Sequence, residues 1–106
     1  MAQSVSEKIQ QRRLQILIHS CLYYELDSSI VSDATWNRWS KELIQLQKDN
    51  PEISKQVKYY NEFKDFDGST GFNLPIKDRW VIGTAKYLLK LHNKPKQTKP
   101  KVIKLF

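Results

Sequence analysis

The sequence predicts an all-α fold, a small bundle of about four helices followed by a flexible basic tail. Three observations predict it. Apolar residues recur at steps of three and four in several separate segments. Polar or proline-containing breaks divide those segments. No run alternates with period two, the last five residues, VIKLF, coming nearest to an exception.

The first helix is expected over about 5–26, where Leu14, Leu17, Ile18, Cys21 and Leu22 form one apolar stripe that ends at Ser28-Ser29. Ser32 is a good N-cap for the second, and Asp33 follows in the first turn, where a carboxylate opposes the helix dipole. Trp36, Trp39, Leu43 and Leu46 share a face of that helix, which stops near Asn50-Pro51. Pro51 suits the first position of a third helix, whose buried side holds Ile53, Val57, Tyr60 and Phe63. The irregular stretch 65–75, DFDGSTGFNLP, contains two of the three glycines and is long for so small a domain. Such loops commonly carry function, and Phe66 and Phe72 are its candidate exposed anchors. A fourth helix over about 76–91 presents Trp80, Tyr87, Leu88 and Leu91. From 93 onward lysine, proline and polar residues predict an extended tail, so the domain is expected to cover 1–92 and the tail 93–106.

Composition narrows the function classes. A chain of 106 residues, 40% hydrophobic, supports one domain with a modest core. No stretch has the apolar length to span a membrane, and the opening MAQSVSEKIQQRR does not resemble a signal peptide. Cys21 is the only cysteine, which excludes an internal disulfide and fits a reducing cytoplasm. The net charge is +7, but the last thirteen residues hold five lysines and no acid, leaving the other 93 residues near +2. Weak, salt-sensitive attraction to nucleic acid is therefore expected of the tail rather than of a basic face.

Catalytic apparatus is not legible. His19 and His92 lie far apart, His19 and Cys21 cannot face one metal from a regular helix, and no zinc spacing exists. No Gly-rich phosphate loop opens a helix. Ser69 and Thr70 sit in a glycine-containing loop without neighbours that suggest a triad. The expectation is a protein that is not an enzyme and holds no metal.

One stretch says more. Tyr23-Tyr24-Glu25-Leu26-Asp27, then Ser32-Asp33-Ala34-Thr35-Trp36-Asn37, then KELIQLQKDNPEI follow one another in a fixed spacing. This text resembles the N-terminal Ia domain of bacterial NAD+-dependent DNA ligases, which shows paired aromatics, an acid, a short break, SDAEYD and a run like RELQELEAEHPEL. In that family the domain recognises the nicotinamide mononucleotide (NMN) half of NAD+, and a separate adenylation domain supplies the lysine nucleophile. The resemblance implies contact roles for Tyr23, Tyr24, Asp33, Trp36 and Asn37. An aromatic face stacks on a cationic pyridinium ring, and a carboxylate opposes its charge. Here Trp36 replaces the family's tyrosine, Asn37 its aspartate, and Ser29 a proline in the interhelix break. Losing a hydrogen bond to a charged group removes roughly 1.5–3 kcal/mol, so the resemblance implies a weakened site. Lys64-Asp65-Phe66-Asp67-Gly68 approaches the superfamily's Lys-x-Asp-Gly but has one residue too many.

The residues themselves admit plainer readings. Asp33 is explained as a first-turn acid, and Trp36 and Trp39 as core. Tyr23 and Tyr24 point about 100° apart on a helix, so one is expected to pack inward. Leu105 and Phe106, with Ile103, loosely resemble the C-terminal peptides by which replication proteins dock on the sliding clamp. Small stand-alone ligase-related proteins of phages and prophages are similar in kind. The resulting expectation is a non-catalytic accessory protein of phage or prophage type. It would dock on a protein partner, inhibiting a host NAD-consuming or replication factor, and would require no cofactor. The alternative is an NMN- or NAD+-binding domain acting as a sensor, or in trans with an adenylation domain.

Overall fold

A capping box opens the first helix, α1 (Val5–Glu25). The Ser4 hydroxyl accepts from the Glu7 amide at 3.2 Å, and the Glu7 carboxylate accepts from the Ser4 amide at 2.9 Å. Those bonds hold Glu7 below the usual carboxylate range. The computed structural model describes residues 3–93, and every regular element among them is helical. The predicted all-α class is the observed one. The tail expected beyond the domain, with Leu105 and Phe106, lies outside the described residues apart from Asn93.

α1 is the hub. α2 (Asp33–Asp49) and α5 (Arg79–His92) both pack against it, so its second half is enclosed far beyond the single stripe its spacing predicted. Ile9, Ile16, Leu17, Ile18, Cys21 and Leu22 are fully buried, and His19 and Ser20 nearly so. Trp39 and Leu43 of α2, with Val81, Ala85 and Leu88 of α5, complete the core from either side. Asp27, with φ 50°, ends α1 in the left-handed region that Asp tolerates better than most residues. As expected, Ser32 caps α2, accepting from the Thr35 amide at 3.1 Å.

The single third helix is a correction. It is two short helices, α3 (Pro51–Gln56) and α4 (Tyr60–Phe63), with Val57 extended and Tyr59 left-handed at φ 72° between them. The cause is Arg13, fully buried on α1. Its guanidinium donates to the carbonyls of Val57 (2.9 Å), Lys58 (3.0 Å) and Ser54 (3.2 Å), to the Ser54 hydroxyl (2.7 Å) and to Gln47 Oε1 (2.8 Å). Those bonds satisfy backbone carbonyls that the break leaves without helical partners. Burial lowers the Arg13 pKa to about 10, with Glu62 and Tyr60 opposing the shift. Of the side chains expected to be buried here, Phe63 is in the core, whereas Ile53 is 36% exposed.

α5 begins three residues later than expected. Asp78 is its N-cap, accepting from the amides of Trp80 (2.9 Å) and Val81 (3.3 Å), and Ile76 is a buried turn residue. Of the residues this helix presents, Leu88 is buried, whereas Trp80 and Tyr87 are 50% and 62% exposed. Among the described residues no helix is long and apolar enough to cross a membrane.

Candidate functional site

The C-terminal end of α1, the start of α2 and the 65–75 loop converge on an open cavity of about 280 Å³. Each wall follows from a local feature. α1 contributes Tyr23 and Tyr24 from its last turn, and His19 and Ser20 one turn earlier. α2, started by its Ser32 cap, contributes Asp33, Trp36 and Asn37 at the one-turn spacing that puts them on one face. Ser29, Ile30 and Val31 form the floor between the helices. The five residues singled out by the resemblance therefore line one cavity.

The roof was not anticipated. Ser69, Thr70 and Gly71 close the cavity from the loop. An Asx turn shapes that segment: the Asp67 carboxylate accepts from the Ser69 amide (2.9 Å) and hydroxyl (2.7 Å), which holds Asp67 below the usual carboxylate range. Gly68, at φ 83°, makes the reversal. Gly71 lies against α1, where an added Cβ would fall 2.6 Å from the Ser20 Cβ. Only glycine lets the roof descend this far. Thr70 ties the roof down, its hydroxyl 2.7 Å from the Tyr24 hydroxyl.

Both tyrosines are at the rim, so neither packs inward as the plain reading had it. They meet edge to face at 4.9 Å, and Tyr24 meets Phe72 similarly at 5.3 Å. Phe72 is 58% exposed, as an anchor should be. Phe66 is a correction: it packs edge to face on Trp36 (6.1 Å) and Phe63 (5.4 Å), inside the domain. Trp36, held from behind by Phe66, is half-buried with its indole at the cavity wall. His19 lies 5.3 Å from Trp39, ring to ring. The Ser20 hydroxyl is buried on the cavity wall with no hydrogen-bond partner, an exception that calls for a ligand or solvent atom.

His19, Ser20, Ser69, Thr70 and Gly71 are the site residues that sequence reasoning missed. His19 and Ser20 were hidden because the α1 stripe was drawn too narrow. The loop offered a signal in its two glycines and hydroxyl pair, but not the direction of its fold. Lys64, from the near Lys-x-Asp-Gly match, is away from this cavity, in a separate depression with Lys48, Lys55 and Tyr60. Among the described residues no group of His, Cys, Asp or Glu is arranged to hold a metal ion.

Fold and cavity define a small helical domain with a rim of aromatic rings and a lining of hydroxyls, one carboxylate and one amide. Residues 2–61 match the family described as DNA ligase-like, N-terminal NAD+-binding domain. Since the match covers more than half of the chain, the protein belongs to that family. No curated protein and no solved structure gives a significant match. The matched segment supplies the α1 and α2 walls; the roof residues, 69–71, lie beyond it.

Proposed function

We propose that the protein binds the nicotinamide mononucleotide portion of a pyridine nucleotide in this cavity and does not itself catalyse a reaction. The observation that carries the reading is the convergence of Tyr23, Tyr24, Asp33, Trp36 and Asn37 on one cavity under a roof of hydroxyls. The pieces suit the ligand's chemistry. A flat cationic pyridinium ring is matched by aromatic faces, with the Asp33 carboxylate opposing its charge. The Ser20 hydroxyl, which has no partner in the protein, is free to bond a ligand oxygen, and the Ser69 oxygen, whose own proton goes to Asp67, can accept from a ribose hydroxyl. The cavity, about 280 Å³, is at the small end of ligand pockets, which fits a mononucleotide better than a whole dinucleotide.

Asn37 offers an amide where the family has an anion, and Trp36 offers no hydroxyl. Affinity is therefore expected in the weak, sensor-like range rather than that of a committed enzyme. Calorimetric titration with NMN tests the reading. Saturable binding that falls at least tenfold in both Tyr23→Ala and Asp33→Ala supports the site, and equal affinity in wild type and both variants overturns it.

Docking on a protein partner is the second reading, and Phe72 is the observation that favours it. That ring packs on Tyr24 with one edge and stands 58% exposed at the rim. On this reading Phe72→Ala abolishes capture of a partner from cell extract while the helical fold persists.

A further inference from the structure

The strongest feature outside the cavity is the outward face of α5. Trp80 and Tyr87, separated by two helical turns, are 50% and 62% exposed. Between them sits Gly83, whose added Cβ would meet nothing within 4 Å, so the floor between the rings is open. Arg79, Lys86 and Lys90 are exposed along the same outward arc. Among the described residues no carboxylate pairs with any of the three; the ion pairs are Arg12–Glu42, Lys55–Glu52 and Lys77–Glu25. None of these α5 side chains lines the cavity.

The charge of the whole chain divides at this helix. Residues 1–78 hold ten basic and eleven acidic side chains, whereas residues 79–106 hold eight basic and no acidic ones. The boundary is therefore the start of α5, well before the tail. A globular fold gains nothing from two large rings left in water, nor from a mid-helix glycine that costs about 1 kcal/mol relative to alanine.

We propose that the outward face of α5 binds single-stranded nucleic acid, with Trp80 and Tyr87 stacking on bases and Arg79, Lys86 and Lys90 contacting phosphates. Charge complementarity selects a polyanion, and the rings select one with free planar faces. An acidic peptide would satisfy the cations and leave both rings without partners. A duplex presents base edges rather than faces, whereas unpaired bases stack on exposed aromatic side chains without regard to sequence. The rings are about 10 Å apart along the helix, so the strand must unstack between them, which a single strand permits.

Fluorescence anisotropy of labelled dT12 with the full chain tests this. Trp80→Ala and Tyr87→Ala each weaken binding about fivefold or more, and Trp80→Phe retains most of it. Both rings are exposed, and circular dichroism verifies that the variants fold. The Lys86→Ala/Lys90→Ala variant lowers the slope of log affinity against log salt by about 1.4, as expected for two lost phosphate contacts to a single strand. Three results would overturn the proposal: dT12 affinity unchanged in both ring variants, tighter binding to a 12-base-pair duplex than to dT12, or equal competition by polyglutamate at matched charge.

Discussion

The hydroxyls of Tyr24 on α1 and Thr70 on the loop are 2.7 Å apart, joining the matched family segment to the roof beyond it. Tyr24→Phe deletes that bond, and Thr70→Val deletes it together with the bond the same hydroxyl accepts from the Phe72 amide at 3.1 Å. Because the pair is exposed, each is expected to lower unfolding free energy by only about 0.5–1 kcal/mol. The larger effect is local, in faster hydrogen exchange of the 68–72 amides. A double variant no worse than Thr70→Val alone verifies the bond; full additivity denies it.

Gly71→Ala sets a Cβ against Ser20, and both positions belong to secured elements. The account expects a loss of about 1–3 kcal/mol from overpacking. Adding Ser20→Gly should recover part of it, although glycine in α1 has its own cost. Denaturation of the four proteins in the cycle measures the coupling.

Arg13 holds α1 to the α3–α4 corner through bonds to Gln47, to the Ser54 hydroxyl and to the carbonyls of Ser54, Val57 and Lys58. Arg13→Met removes those five bonds, two of them buried and three part-buried, so urea denaturation should show a loss of about 3 kcal/mol or more. The neighbouring Arg12 makes a half-exposed ion pair with Glu42 at 2.6 Å. Arg12→Ala should cost under about 1 kcal/mol.

Burial pushes the Cys21 thiol from 9.0 up to about 11, with Glu25 adding to the shift and Lys86 opposing it. The folded pKa lies above the unfolded one, so the thiol's contribution is complete below pH 9 and is lost as pH rises through about 11. Tyr59, also raised by burial, acts in the same direction. Cys21→Ala should therefore show a shallower fall in stability between pH 9 and pH 11 than wild type. In the folded protein at neutral pH the thiol should resist thiol reagents.

Gly83→Ala removes a helical glycine without meeting any neighbour. It should raise stability by about 0.5–1 kcal/mol, read as an increase in melting temperature.

What could be read in advance follows from where the determining interactions lie. α1, α2 and the Ser32 cap were legible because periodicity and capping are local. The split of the third helix was not, since it is set by Arg13, more than forty positions away in the chain. The start of α5 was placed too early because Ile76 reads as a helical apolar residue when it is a buried turn. Tyr23, Tyr24, Asp33, Trp36 and Asn37 were found through a family resemblance, and their convergence needed the structure. Ser69, Thr70 and Gly71 reach the same cavity through a long-range contact with Ser20 and Tyr24, which no local pattern encodes.

The most direct test of the cavity's role is a ¹⁵N heteronuclear titration of the full chain with NMN and NAD+ at millimolar concentrations. The account predicts saturable shifts for Tyr23, Asp33, Trp36 and Asn37 together with the roof amides Ser69, Thr70 and Gly71, and at least equal affinity for NMN. No shifts at those positions with either ligand would contradict it.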